Sequence, residues 1–430
     1  MNTEKYNWAG LKIDNNYKNI IEDLCIELLN RLSNPKDVII DGDISLASGS
    51  SGIIIFLNEI NKVLGIDTSE LIHKYVKFSE YYLYNYLQNF SLYNGITGFN
   101  YAISLVNNDT GNYSKLIESL DKLFIKDFTP VIDTILTNNT NIDSYPKFDS
   151  EFDLISGLSG ISRYILSRKN KNKEMENLLY KILSYFVDLC NDKVINGTVV
   201  KGWITKKIDF DKNNNAYYSD INEYNLGVAH GAPGILSILS ILTKNNIEIK
   251  GQKEAIENIQ NWILEINEYV EHGIWPCYAT KNDSYELGHF KRIAWCYGNP
   301  GISNSLLLSS EALNNNTINQ FSNKVLENIY NIPYSEWLIS SPMICHGYAG
   351  ILQIIFRSYN KNLIYFNADI LIKELISNID FKKNFCFFNN DMNKYYDTPG
   401  FLMGSSGIAL VLLSSISSIP PNWDQILLLS

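Results

Sequence analysis

Seven strongly apolar runs recur along the chain, and a Gly-x-x-Gly turn precedes each of them. The runs, such as GIIIFL from Gly52 and GILSIL from Gly234, are apolar on nearly all sides, as a buried helix requires. The first glycines of the seven turns are Gly49, Gly95, Gly157, Gly231, Gly298, Gly347 and Gly404. This self-similarity predicts seven buried helices that are entered through the same kind of turn.

Amphipathic segments lie between the apolar runs. In one of them the apolar residues at helical spacing are Ile20, Ile21, Leu24, Leu28 and Leu32. In another they are Ile256, Ile259, Ile263 and Ile266. A stripe of this kind is typical of a helix with one buried face. Successive turns are 46 to 74 residues apart, which leaves room for two helices and a loop in each copy.

The alternation of buried and half-buried helices predicts an all-α protein. We expect an α/α toroid, in which seven inner helices are surrounded by seven outer helices, and we expect residues 1–430 to form a single domain. The glycines are expected to permit a tight entry turn and close approach of helices. They are also expected to leave backbone N–H groups free at the start of each inner helix.

One segment, residues 194–222, departs from the helical pattern. It begins with VINGTVV, in which Asn196-Gly197 is a hairpin signal between β-branched residues. A short apolar stretch and a polar, asparagine-rich stretch follow. We therefore expect a small β-rich insertion or flap over residues 194–222.

Composition and charge exclude several classes of protein. The chain has 36 basic and 46 acidic residues and a net charge of −10, and it has no basic stripe, so we expect no nucleic-acid partner. No signal-peptide pattern is visible in residues 1–10, and no apolar run approaches the length of a membrane span. Six cysteines are too few for a disulfide scaffold in 430 residues. We expect a cytoplasmic protein whose reduced thiols can bind metal.

Candidate metal ligands stand at the two positions just before the first glycine in two of the turns. They are Cys296 in WCYG, and Cys345 and His346 in CHGYAG. In a toroid, turns at the same position in the repeat converge at one end, so these side chains are expected to be neighbours. Two sulfurs and one imidazole suit Zn²⁺ with a fourth position left open, as in catalytic zinc sites. The remaining cysteines are expected to be core or inert residues, namely Cys25, Cys190, Cys277 and Cys386.

The motifs AHGAPG, WCYG and CHGYAG, in this order, resemble those of the lanthionine synthetase C-like family, and the resemblance spans about residues 48–412. It implies the α/α toroid and one zinc ion per chain on Cys296, Cys345 and His346. By motif, it also implies further catalytic residues around the metal. These are His230 for proton transfer, Arg292, and the aromatic residues Trp295 and Tyr297. Asp153 is the acidic residue of the motif, and it could orient or charge-balance either His230 or Arg292.

The resemblance implies a lantibiotic cyclase, an enzyme that forms C–S bonds. Its substrate would be a dehydrated precursor peptide, whose cysteine thiols add to dehydroalanine or dehydrobutyrine to form thioether rings. It also implies a complex with a dehydratase and a membrane transporter, which would place the protein at the inner face of the membrane.

Four other functions remain open from the sequence. A relative in the same family could add glutathione to a dehydrated residue instead of closing a ring. A non-catalytic zinc scaffold could bind a peptide and would use a fourth protein ligand, for which Cys277 or His289 is a candidate. A zinc prenyltransferase is disfavoured by the lack of a basic cluster, and a Cys-His hydrolase by the lack of an oxyanion-hole motif.

Overall fold

The structure is a computed structural model that describes residues 8, 15–139, 141–210, 216–281, 284–360, 368–391 and 394–430. Within these residues the chain is mostly helical, which confirms the all-α prediction. The seven predicted buried helices are all present. They are α3 (Ser50–Leu64), α5 (Ile96–Thr110), α8 (Leu158–Ser167), α10 (Ala232–Lys244), α12 (Asn299–Leu313), α14 (Tyr348–Asn360) and α16 (Ser405–Ile416).

Seven amphipathic helices alternate with the buried ones. They are α1 (Asn15–Arg31), α4 (Ser69–Tyr82), α6 (Ser114–Asn139), α9 (Lys173–Leu189), α11 (Gln252–Asn267), α13 (Asn316–Glu327) and α15 (Asp369–Ser377). Two one-turn helices complete the described set, α2 (Pro35–Val38) and α7 (Asp149–Phe152). Short 3-10 turns occur at Ile40–Gly42, Leu83–Tyr86, Ile142–Ser144, Glu271–Gly273, Asn328–Asn331, Tyr334–Glu336 and Trp423–Leu427. None of the described helices is both long enough and apolar enough for a membrane span.

The first glycine of each Gly-x-x-Gly turn allows the chain to fold back on itself before the helix begins. At six of the seven turns, a Cβ on this glycine would lie less than 3.0 Å from the carbonyl oxygen six residues earlier. The N–H of the first helical residue also bonds to a turn carbonyl, as in Ser50 to Asp43 at 3.0 Å and Tyr348 to Ser341 at 3.0 Å. The expectation that the turns leave these N–H groups free is therefore wrong at the first helical residue of such turns.

The second glycine brings neighbouring repeats together. A Cβ on Gly98 would lie 2.9 Å from Cβ of Leu46 in the preceding repeat, and a Cβ on Gly407 would lie 2.9 Å from Cδ1 of Ile344. Each of these glycines also packs on the carbonyl oxygen six residues earlier in its own turn. A side chain here would meet both the chain's own turn and the adjacent repeat, so the glycine is required for packing as well as for the turn.

The chain divides into two compact units, the first of which comprises residues 1–122 and 339–429. Within it the buried helices pack side by side in the order α5, α3, α16, α14, so the last repeat lies beside the first. Backbone hydrogen bonds join successive turns of this unit. Ala47 N–H donates to Tyr93 O at 2.9 Å, and Leu402 N–H donates to Ala47 O at 2.9 Å.

The second unit comprises residues 123–338 and Ser430. Its buried helices α8, α10 and α12 pack in sequence order. Buried hydroxyl and amide groups join its helices. Ser237 of α10 bonds Ser305 of α12 at 2.9 Å, and Gln260 of α11 donates to Ser309 at 2.7 Å. The prediction of a single domain over residues 1–430 stays a prediction.

The predicted β-rich segment forms strands. They are β1 (Asp192–Ile195), β2 (Thr198–Lys201), β3 (Thr205–Phe210) and β4 (Ala216–Asn225), while residues 211–215 lie outside the described residues. Asn196 and Gly197 both have positive φ and close the β1–β2 hairpin, as the Asn-Gly signal predicts.

The sequence did not predict the partners of β4. The strands β5 (Tyr278–Lys281) and β6 (Tyr285–Leu287) complete an antiparallel sheet in the order β3-β4-β5-β6. A separate hairpin pairs β7 (Asn389–Asp391) with β8 (Lys394–Tyr396). The β-rich region is therefore more extended along the chain than residues 194–222.

Replacing Gly98 with alanine tests the packing of the turns. Alanine in place of an ordinary helical glycine stabilises a protein by about 1 kcal/mol. At Gly98 the added Cβ would overlap a backbone carbonyl and a neighbouring repeat. We expect Gly98→Ala to lower the free energy of unfolding by about 3 kcal/mol, measured by urea unfolding.

The control is Gly111→Ala, at a helix end where a Cβ would have nothing within 4 Å but φ is +75°. We expect this variant to lose only about 1 kcal/mol, from backbone strain alone. A Gly98→Ala protein as stable as the wild type would contradict the packing argument.

Candidate functional site

The two positions directly before the first glycine carry reactive side chains in three successive turns. In the turns before α10, α12 and α14 these pairs are Ala229 and His230, Cys296 and Tyr297, and Cys345 and His346. Because the turns share their backbone geometry, residues at these two positions occupy equivalent places at the start of each helix. The geometry of the turns therefore decides where these side chains lie.

The three predicted metal ligands form a cluster. One ligand atom from each of Cys296, Cys345 and His346 can be chosen so that all three atoms lie within 4.8 Å of one another. Cys296 is buried, whereas Cys345 and His346 are half-buried. Among the described residues, no further His, Cys, Asp or Glu joins this group.

The donor set fits zinc. Zinc–sulfur bonds of about 2.3 Å and zinc–nitrogen bonds of about 2.0 Å place tetrahedral ligand atoms about 3.5–3.8 Å apart, so the observed limit requires only small movements. The turn backbone supports the arrangement, since Cys345 N–H donates to Leu402 O at 3.0 Å. Gly298, directly after Cys296 and Tyr297, has φ +85°, a conformation that favours glycine. Three ligands without a fourth from the described residues are the donor set of a catalytic zinc site.

His230 is held by a buried carboxylate. Its Nδ1 lies 2.6 Å from Oδ2 of Asp153, whose side chain is 1% exposed, while the histidine side chain is 37% exposed. The other carboxylate oxygen of Asp153 accepts from the backbone N–H groups of Ser156 and Gly157, both at 2.7 Å. Asp153 is therefore fixed by its own turn, and it fixes the orientation of the imidazole in the next repeat.

Two short backbone features place Asp153 beside His230. Asp153 follows the one-turn helix α7, and its N–H donates to Asp149 O at 2.8 Å. Leu154 N–H then donates to Ala229 O at 3.0 Å, which joins the turn of the third repeat to the turn that carries His230. The structure thus brings Asp153 to His230, one of the two partners that the sequence left open for it.

Arg292 and Trp295 lie on the chain that leads to Cys296. The Arg292 guanidinium carbon is 5.3 Å from the ring centroid of Phe290. The positive charge of Arg292 also acts on the neighbouring Cys277 thiol, where burial raises the pKa to about 12 and Arg292 opposes the rise. Trp295 is fully buried, so it packs within the turn rather than facing solvent.

Tyr297 is held through its hydroxyl. The oxygen lies 3.0 Å from the Tyr278 hydroxyl, and it accepts from the Asn225 side-chain amide at 3.3 Å. Burial, followed by the neighbouring Tyr278 and Cys296, raises the pKa of Tyr297 well above its usual value. The phenol therefore stays protonated at neutral pH and can act only through hydrogen bonding.

Two groups near the site were missed by the sequence analysis, Asp149 and Tyr278. Burial raises the pKa of Asp149, the charge of His230 opposes this rise, and Asp153 adds to it. Asp149 therefore lies within electrostatic reach of both residues of the His230–Asp153 pair. Asp149 stands four residues before Asp153 in the sequence FDSEFD. This spacing, one helical turn, is the signal by which the sequence could have identified Asp149.

Comparison with known proteins identifies relatives over almost the whole chain. The family model for "Lanthionine synthetase C-like protein" matches residues 41–428. The chain is 27% identical over 440 residues to "Nisin biosynthesis protein NisC" of Lactococcus lactis subsp. lactis, and the alignment covers 97% of each protein.

A solved structure is similar as well. The structure of "Nisin cyclase" superposes with a TM-score of 0.73 at 26% identity, and the match covers 97% of this chain and 98% of that one. Nisin cyclase is an α/α toroid, so this match confirms the predicted fold class, with its small sheets.

Metal content tests the cluster. We expect the protein to retain one zinc ion per chain after dialysis. Replacing a residue that only hydrogen-bonds to a metal ligand typically weakens metal binding about 10- to 100-fold. We expect Cys296→Ala and Cys345→Ala, which remove a ligand itself, to weaken zinc binding by at least this much. Elemental mass spectrometry measures the zinc content, and competition with a zinc-binding dye measures the zinc affinity.

The matched control is Cys25→Ala, because Cys25 is a buried core residue of α1. It should lose some stability but keep its zinc. Unchanged zinc affinity in Cys296→Ala would show that these three side chains do not share a metal.

Proposed function

The chain belongs to the lanthionine synthetase C-like family, and we propose that it is a zinc-dependent peptide cyclase. The proposed substrate is a precursor peptide in which serine and threonine have been dehydrated. A cysteine thiol of the peptide would add to dehydroalanine or dehydrobutyrine and close a lanthionine or methyllanthionine ring. The observation that carries the proposal is the grouping of Cys296, Cys345 and His346 within 4.8 Å.

The metal ligands prepare the nucleophile in this proposal. Cys296, Cys345 and His346 would hold one zinc ion, which when bound supplies the chemistry that converts a peptide thiol into a thiolate near neutral pH. The thiolates of Cys296 and Cys345 and the imidazole of His346 would donate electron density to a bound ion, a ligand set that would leave a peptide sulfur reactive. A shell of carboxylates and water would suit a sulfur nucleophile less well.

The bond changes define what the other residues must do. The thiolate sulfur bonds to Cβ of the dehydrated residue, and the alkene electron pair moves into the adjacent amide as an enolate. A proton must then reach Cα, which balances the proton lost by the thiol. The protein therefore has to stabilise an oxyanion and deliver one proton.

His230 is the proposed proton donor. Its Nδ1 is engaged by Asp153 at 2.6 Å, which leaves Nε2 as the nitrogen that would carry the transferred proton. An imidazole has the appropriate pKa range for this transfer near pH 7. The buried carboxylate of Asp153 would stabilise the imidazolium form, which is the acid.

Arg292 is the proposed partner of the developing negative charge. A guanidinium is permanently charged and can bind an amide oxygen as it becomes an enolate. Trp295 and Tyr297 flank Cys296 in sequence, and we assign them to the shape of the site rather than to proton transfer.

The described residues favour this proposal over a zinc scaffold. A scaffold site would be closed by a fourth protein ligand, and neither Cys277 nor His289 belongs to the described cluster. A glutathione-adding enzyme would use the same site, and only the product separates it from a cyclase. Association with a dehydratase and a membrane transporter, at the inner face of the membrane, is the part of the proposal that rests on resemblance alone.

A mass and thiol assay tests the reaction. Zinc-loaded protein is incubated with a dehydrated precursor peptide, and free thiols are then counted by alkylation. We expect free thiols to disappear at constant peptide mass, because addition of a thiol to an alkene within one peptide adds no atoms and removes none. A mass increase with added glutathione would indicate the glutathione-adding function, and unchanged thiols across several precursors would reject both.

Asp153→Asn tests the proton-transfer pair. The variant keeps an oxygen that can accept from the turn N–H groups but loses the charge that stabilises the imidazolium. We expect kcat to fall about 100-fold, within the usual contribution of general acid catalysis, with wild-type zinc content.

The matched control is Asp143→Asn, since Asp143 is an exposed carboxylate ten residues earlier. It should cyclise at the wild-type rate. If Asp153→Asn were as active as this control, the His230–Asp153 pair would not carry the proton transfer.

A further inference from the structure

Tyr278 and Asn225 form a cross-strand pair directly beside the candidate site. In the β4–β5 ladder, Asn225 is the register partner of Tyr278. Side chains of directly opposed residues project from the same face of a sheet. Both side chains reach the hydroxyl of Tyr297, from Tyr278 at 3.0 Å and from Asn225 at 3.3 Å. The sheet therefore holds the residue that follows Cys296.

A glycine packs closely against the Tyr297 ring. A Cβ on Gly227 would lie 2.5 Å from Cε1 of Tyr297 and 2.7 Å from the carbonyl oxygen of Cys296. Asn225 also fixes this glycine, because its side-chain oxygen accepts from Gly227 N–H at 2.9 Å. The Tyr297 ring thus occupies the space that a side chain at 227 would fill, and its hydroxyl end is bound by the sheet.

Tyr278 also lies near the proton-transfer residues. Burial raises the pKa of Tyr278 to about 12, hydrogen bonding from Tyr297 opposes this, and the charges of Glu223 and Asp149 add to it. Asp149 in turn is within electrostatic reach of His230. Asp149 therefore acts electrostatically on both Tyr278 and the His230–Asp153 pair.

We propose that Tyr278 is a positioning residue of the cyclisation site, which holds Tyr297 through the contact of their hydroxyls and thereby fixes the turn that carries Cys296. The role assigned to the turn rests on the proposed cyclase function. Tyr278 acts on the reaction only through Tyr297. The aromatic contact between the two rings, with centroids 5.8 Å apart, does not need the hydroxyl.

Tyr278→Phe removes the hydroxyl and keeps the ring. We expect kcat for ring closure to fall about fivefold, equivalent to about 1 kcal/mol, the usual net contribution of one neutral hydrogen bond. We expect KM, zinc content and Tm to stay close to wild type, because neither peptide binding nor the core depends on this hydroxyl.

Tyr224→Phe is the matched control. Tyr224 is a buried residue directly before Asn225 on β4, so its side chain projects from the opposite face of the sheet. Its hydroxyl accepts from Lys201 N–H at 3.2 Å. It should leave kcat unchanged. Equal losses in Tyr278→Phe and Tyr224→Phe would mean a general loss of sheet stability and would overturn the proposal.

A double-mutant cycle separates positioning from an independent role. If Tyr278 acts through Tyr297, the variant with both Tyr278→Phe and Tyr297→Phe should be no slower than Tyr297→Phe alone. Losses that multiply in the double variant would overturn the proposal, because Tyr278 would then contribute without its partner.

Hydrogen exchange gives a readout that does not require activity. Ala294 N–H donates to Tyr297 O at 2.9 Å, so the amides of residues 292–298 report on the turn. We expect exchange in this segment to be about fivefold faster in Tyr278→Phe, and unchanged in Tyr224→Phe. Unchanged exchange in Tyr278→Phe would overturn the positioning role. A wild-type protein that closes no ring would instead reject the cyclase function, while the exchange result would still stand.

Discussion

The repeated turn before each buried helix is the constraint on which the structure depends. At five of the turns the second glycine packs against the carbonyl oxygen six residues earlier, and Gly98 also packs against Leu46 of the preceding repeat. Hydrogen bonds between the backbones of successive turns run beside these contacts, as from Ala47 to Tyr93. These contacts are made by backbone atoms, apart from the apolar side chain, such as Leu46, against which the second glycine packs. The turn can therefore keep its shape while the two residues before its first glycine change freely.

Chemistry is concentrated at these two positions, but they do not act alone. His230, Cys296, Tyr297, Cys345 and His346 all come from the turns, whereas His230 and Tyr297 are oriented by residues from other parts of the chain. Asp153 is placed by a one-turn helix and its own turn N–H groups. Tyr297 is held by the paired strands β4 and β5. The turns of the helical array supply the positions, and the one-turn helix and the strands supply the orientation.

The sequence was sufficient for the helices and for the grouping of Cys296, Cys345 and His346, because both follow from one recurring signal. Seven glycine turns at similar spacing predict the buried helices, and Cys296 and Cys345 stand at the same place in their turns. The Asn196-Gly197 hairpin was likewise readable, since positive φ at both residues is what that pair favours.

Other features could not be predicted because they depend on pairing between distant segments. Tyr278 lies on a strand of only four residues, and its pairing with Asn225 brings it to Tyr297. The capping of helix N–H groups by turn carbonyls was also missed, because it depends on how sharply the chain folds back. Asn225 itself carried a signal, since it occupies the position six residues before a first glycine, where Asp43 and Asn89 stand in other turns.

The freedom of the two positions before the first glycine has an evolutionary consequence. In other turns they hold ordinary residues, such as Ala47 and Ser48 or Leu402 and Met403. A reactive residue that arose there by mutation would enter a backbone that is already folded and already joined to its neighbours. The repeat thus lets a lineage relocate or enlarge its reactive centre one codon at a time, without first inventing a new scaffold.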